Sequence, residues 1–125
     1  MKNRYSQRVS VDCSVMFAGE NMVAEGRILD LSLPGCLMES SKTLAAGEYI
    51  QLRLFLPDRQ APLHVELAAI RWAEDSKVGI EFIRTSKYEQ HRLEQFVRRT
   101  SGRDVSSTLN DEGVFAGTAR NEKQL

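Results

Sequence analysis

One spacing in the sequence fits a defined recognition chemistry: Arg4-x-x-x-Arg8 followed by Asp30-x-Ser32-x-x-Gly35. A guanidinium donates two parallel hydrogen bonds to a phosphate, or to O6 and N7 of a guanine; a lysine, as a point charge, does this less selectively. Asp30 is ionised at neutral pH and only accepts, and the N1–H and 2-amino edge of guanine presents matching donors. Ser32 has a hydroxyl to donate to a phosphate oxygen or a base acceptor. Gly35 leaves room for a ring to approach the backbone and tolerates positive φ. In an extended segment Arg4 and Arg8 share a side, about 13 Å apart. A turn through Tyr5-Ser6-Gln7 brings them closer, so the pair can grip separate parts of one dinucleotide, with Ser6 and Gln7 adding hydrogen bonds. Alone, each half is weak. R-x-x-x-R is commonly a solvated basic end, and Asp-x-Ser is commonly a turn.

The elements around the two halves give them weight. Residues 1–8 read as a flexible basic arm. From Val9 to Phe17 apolar residues alternate (Val9, Val11, Cys13, Val15, Phe17), which predicts a half-buried strand. Gly19-Glu20-Asn21 supplies a turn, and Met22 to Leu29 a second strand, so the hairpin returns the Asp30 loop to the arm's end of the sheet. Cys36–Glu39 reads as a short strand and residues 40–48 as a polar connection. Tyr49–Leu56 alternates clearly. In Leu63–Glu74 the apolar phase slips near Ala68-Ala69, which predicts a bulge. Val78, Ile80 and Phe82 mark the last strand.

A helix follows, opened by a Ser86/Glu89 capping box and carrying Leu93, Phe96, Val97 and Thr100 on one stripe, with Gly102 as its expected stop. Residues 103–125 read as a mostly disordered tail. Six short strands and one helix predict a small all-β barrel at 9–102.

With 17 basic and 17 acidic residues, the chain lacks the basic excess of a protein that coats nucleic acid. The positive charge is local: Lys2, Arg4 and Arg8 stand in the first eight residues with no acid among them. Cys13 and Cys36 form no C-x-x-C and are expected to be buried and reduced. His64 and His91 have no second ligand at metal spacing, so no metal site is expected. Nor is there a nucleophile–base motif or phosphate-binding P-loop, and no enzymatic activity is expected. No apolar run approaches the roughly 20 residues of a membrane span, and no apolar stretch follows the basic N-terminus. A cytoplasmic location without membrane insertion is the expectation.

The order of the two halves resembles the signature of the PilZ family, as does the Val78-Gly79-Ile80-Glu81-Phe82 strand with the helix after it; the resemblance spans roughly residues 4–100. It implies a six-stranded antiparallel PilZ-type β-barrel with a C-terminal flanking helix. It also implies a ligand, the bacterial second messenger cyclic di-GMP, resting on the outer face of the barrel under the arm. Arg4 and Arg8 would contact phosphate and guanine, and Asp30, Ser32 and Gly35 would hold the other side. Trp72 falls where some members place an aromatic near the ligand; a core position is the competing expectation. Asn3 stands where members often carry a further arginine, so one nucleotide and a stacked pair both stay open.

The implied function is a receptor with no cofactor, whose arm and surface change on binding to regulate a protein effector in motility, biofilm or exopolysaccharide output. The alternative is a nucleotide-independent protein-interaction adaptor. A binder of single-stranded nucleic acid fits poorly with zero net charge and one tryptophan.

Overall fold

The computed structural model describes residues 7–110. Six strands run β1 (Arg8–Gly19), β2 (Met22–Ser32), β3 (Gly35–Glu39), β4 (Tyr49–Leu54), β5 (Leu63–Glu74) and β6 (Lys77–Arg84), followed by helix α1 (Lys87–Asn110). They close into a barrel in the order β1-β2-β3-β6-β5-β4, with every neighbouring pair antiparallel. Closure pairs every strand on both sides, which removes the exposed edges that invite aggregation.

The alternation read from the sequence produces the interior. Val9, Cys13, Val15 and Phe17 from β1, and Ile50, Leu52 and Leu54 from β4 with Leu56 just beyond it, are buried, while Ser10, Asp12 and Ser14 face out. Both cysteines are free and buried. Burial pushes the Cys13 thiol up to about 11, with Asp12 adding to the effect. Burial also raises Cys36 well beyond the usual thiol range, with the Asp30 charge next in weight. Both are therefore held as uncharged fillers.

Residues 40–48, expected as a polar connection, carry an apolar plug: Leu44 is buried in the core. The segment is anchored to β5 by Gly47 N–H donating to the Ile70 carbonyl (2.8 Å) and Ile70 N–H donating to the Glu48 carbonyl (2.9 Å). Gly47 adopts φ +95°, a conformation that a side chain would strain.

Helix α1 starts at the expected cap, with Glu89 N–H donating to Ser86 Oγ at 3.2 Å; the reciprocal half of the expected capping box is corrected, since the Glu89 carboxylate turns to the barrel. Leu93 and Val97 join the barrel core, and Phe96 packs against it. The expected stop at Gly102 is corrected: α1 continues to Asn110. A glycine inside a helix costs only about 1 kcal/mol, and no proline follows to break the turn. Residues 111–125, the rest of the expected tail, lie outside the described residues. Among the described residues, no helix is long and apolar enough to cross a membrane.

A polar cluster fastens α1 to the barrel. Arg92, with a side chain only 10% exposed, reaches Asp58 at 3.3 Å and Glu89 at 3.5 Å. Glu89 in turn accepts from the backbone N–H of His64 at 3.3 Å. Removing the guanidinium leaves the largely buried carboxylates of Asp58 and Glu89 without their shared cation. Arg92→Ala is expected to lower unfolding free energy by about 2–3 kcal/mol, at the low end for breaking a buried ion pair because the carboxylates keep some solvent access. Urea denaturation followed by circular dichroism checks this. Arg92→Met, which keeps the packing and loses the charge, should fall short of recovering the loss.

Candidate functional site

Arg8 and Asp30, one residue from each half of the sequence motif, meet on the outer face of the barrel. Arg8 opens β1, and Asp30 lies near the end of β2. Their register partners are Ser32 and Ser10, so Arg8 and Asp30 stand diagonally across the hairpin, a separation that a long side chain spans. Arg8 Nη1 donates to Asp30 Oδ1 at 2.8 Å, with Arg8 61% and Asp30 26% exposed. The pair borders a cleft of about 320 Å³ whose floor and far wall include Leu37, Ile80, Gly79, Trp72 and Arg71. Cys36 lies beneath it.

Ser32 and Gly35 take structural positions in the same loop. Ser32 is buried, and its hydroxyl donates to the Gly35 carbonyl at 3.1 Å. That bond spans the turn between β2 and β3. Positive φ is not what Gly35 supplies, since Gly47 alone among the described glycines adopts it. The open space expected beside Gly35 is filled by β6: an added Cβ would lie 2.0 Å from the Ile80 carbonyl oxygen. Gly35 therefore allows two strands to approach. Arg4 and Ser6 lie outside the described residues. Gln7 is described, and its Nε2 donates to Ser101 Oγ at 2.5 Å, tying the base of the arm to α1.

Trp72 settles the choice between core and cleft: it is 46% exposed and lines the cleft. Its phase predicted the same side as Ile70, which is buried. The register shifts between Ile70 and Trp72, so a bulge turns both Arg71 and Trp72 outward. The ring lies over Gly79, its direct partner on β6; a Cβ at Gly79 would sit 2.1 Å from Trp72 Nε1. Sequence reasoning passed over Gly79, although a glycine within a strand is itself a sign of close approach.

Gly79→Ala is therefore expected to lift the ring off the strand while leaving the backbone in place. Because Trp72 is the single tryptophan in the chain, its emission should shift to longer wavelength as the indole enters water, and this reads the displacement directly.

Larger depressions exist among the described residues, of about 640 Å³ beside Tyr49, about 530 Å³ along α1 and about 460 Å³ around Arg27. None includes a tryptophan, and only the last includes an arginine, which shares its depression with Glu25 and Glu39. The smaller cleft combines a donor fork, a carboxylate acceptor and an aromatic face.

Together, the structure is a closed antiparallel barrel with Arg8 at its first strand, a cleft on its outer wall and one helix after the last strand. The PilZ domain family model matches residues 2–99, and the chain belongs to that family. No curated protein matches the sequence significantly.

Among solved structures, the chain is similar to the inhibitor of motility MotI/DgrA of Bacillus subtilis (TM-score 0.68, 19% identity), over 85% of this chain and 53% of that one. The chain thus spans about half the length of that protein. It is also similar to the PilZ domain of YcgR from Escherichia coli, solved with c-di-GMP (TM-score 0.65, 17% identity, 90% of this chain and 100% of that one). A third is the PilZ domain of CeSA from a cellulose synthesizing bacterium (TM-score 0.58, 17% identity, 79% and 99%). At these identities the likeness is one of fold.

Proposed function

We propose that this chain is a cyclic di-GMP receptor that regulates a protein effector and performs no catalysis of its own. The observation that carries the reading is the cleft. It places the Arg8–Asp30 pair beside an exposed Trp72 on the barrel's outer wall, at the root of an arm that holds Arg4. In this reading Arg8 turns from Asp30 to a phosphate or to the O6/N7 edge of a guanine. Asp30 then accepts from N1–H and the 2-amino group, and Trp72 stacks on a base. Ser32 and Gly35 act by holding the loop that carries Asp30. Arg4, Ser6 and Gln7 close from the arm side. That YcgR's PilZ domain was solved with c-di-GMP supports the choice of ligand.

The output follows from the arm. In this reading the arm, residues 1–8, changes conformation when ligand binds, driven by the ligand's greater affinity for the bound arrangement. The bond from Gln7 to Ser101 makes α1 a neighbour of that movement. The effector then reads a changed surface around the arm, whether its output is motility, biofilm formation or exopolysaccharide.

Isothermal titration of the full chain with cyclic di-GMP tests the reading. Expected are micromolar or tighter binding, a ligand-dependent rise in melting temperature and a change in Trp72 emission. Absence of heat together with an unmoved melting temperature rejects it and favours the nucleotide-independent adaptor.

A further inference from the structure

A second guanidinium–carboxylate pair faces the first across the cleft. Arg71 lines the cleft from β5 and is paired with Glu81 of β6 through both Nε and Nη2. In a regular strand Arg71 and Trp72 would point to opposite faces. Here the register shift between Ile70 and Trp72 sets both side chains on the outer wall. Bulges commonly re-aim a side chain beside a functional site. Without this one, the tryptophan would have no arginine at its edge.

The way Arg71 is held determines what it can bind. A guanidinium has five N–H donors in a fixed fork. Glu81 engages the Nε and Nη2 side, and Nη1 retains its pair. The carboxylate thus fixes the orientation of the free end. It also adds a negative charge next to it, which disfavours a phosphate there and leaves a neutral base edge acceptable. Trp72, the adjacent residue, offers a stacking face, so a guanine lying on that face would present its edge beside Arg71.

Resting on the proposed function, we propose that Arg71 reads the O6/N7 edge of the guanine stacked on Trp72. Glu81 serves as the positioning residue that aims it. The site then holds an arginine for each side of the ligand: Arg8 on the arm's side, Arg71 on the sheet's side. Selectivity for guanine over adenine arises at the second position, because adenine replaces the O6 acceptor with an amine that donates.

The test is titration of wild type, Arg71→Ala, Arg71→Lys and Glu81→Gln with cyclic di-GMP and with the mixed cyclic GMP–AMP dinucleotide, with melting temperatures recorded alongside. Loss of a bidentate base contact is expected to weaken cyclic di-GMP binding by Arg71→Ala about tenfold or more. The preference of wild type for cyclic di-GMP over the mixed ligand should shrink with it. Arg71→Lys keeps the charge and loses the fork, so it should not restore that preference. Glu81→Gln should weaken binding less than Arg71→Ala while reducing the same preference.

Wild-type binding with Arg71→Ala within twofold of it overturns the inference and leaves the receptor reading standing. Equal loss for both ligands, the mark of a phosphate contact, also overturns it. Failure of wild type to bind cyclic di-GMP removes the receptor reading itself.

Discussion

Asp30→Ala and Arg8→Ala are each expected to weaken cyclic di-GMP binding about thirtyfold or more while leaving the barrel's stability nearly unchanged. The two halves of that expectation come from different features of one ion pair. In the free protein, Arg8 and Asp30 satisfy each other at 2.8 Å, yet Arg8 remains 61% exposed. An ion pair this open contributes about 0–1 kcal/mol to folding, because water screens it and two side chains must be ordered to form it. Separating it to admit a ligand is therefore cheap, and so is deleting it. A melting temperature within about 4 °C of wild type follows for a domain of this size.

Binding is different. Once a base and a phosphate cover the cleft, the same groups lose solvent, and truncating one partner of a covered charged hydrogen bond costs about 2–5 kcal/mol. Arg8→Lys separates charge from geometry. It retains the cation and loses the fork, so it should recover only part of the affinity. Titration calorimetry gives the affinities and differential scanning fluorimetry the stabilities. A variant that loses binding and melts far below wild type points to a folding defect, and then the site reading loses its support.

The local patterns were legible in the sequence to the extent that each depends on its own segment. The alternation of β1 and β4, the turn after Gly19 and the Ser86 N-cap rest on residues within a few positions of one another, and the structure keeps them, while the Glu89 carboxylate expected in the capping box goes to His64 and Arg92. Where a neighbour distant in sequence decides, the pattern fell short. The phase of β5 could not orient Trp72, because the bulge that turns it outward belongs to the pairing with β6. Leu44 lies in a stretch with no period, and only the barrel's interior gives it a place. Gly102 carries a stop signal that the helix passes through. For the site, Arg8 and Asp30 were legible as a pair of chemical types. Their direct contact, and the support of Trp72 by Gly79, are products of register.

Gly35→Ala is expected to be the most destructive single-methyl change in the domain, and contrast with Gly79 shows why. At Gly79 the atoms in the way belong to the Trp72 ring, which can swing into solvent. At Gly35 they are backbone: an added Cβ meets the Ile80 carbonyl oxygen at 2.0 Å, the Ile80 carbonyl carbon at 3.1 Å and the Glu81 Cα at 3.2 Å. The strands themselves must separate. Gly35 pairs with Glu81 at the start of β3, a strand of only five residues, and Phe82 N–H donates to the Pro34 carbonyl at 2.8 Å just beyond. Moving β3 away therefore breaks the ladder on which closure of the barrel depends.

A loss of about 3 kcal/mol or more follows, as for overpacking that cannot be relieved by a rotamer change. Against a typical total stability of about 5–15 kcal/mol, that is a large share. The site should fail with the fold. The Gly35 carbonyl accepts the Ser32 hydroxyl in the loop after Asp30, and Glu81 opposite Gly35 holds Arg71. Thermal and urea unfolding of the variant, monitored by circular dichroism, measure the effect. A Gly35→Ala protein that melts with wild type means β3 and β6 have more room than this packing allows, and the role given to Gly35 must then be withdrawn.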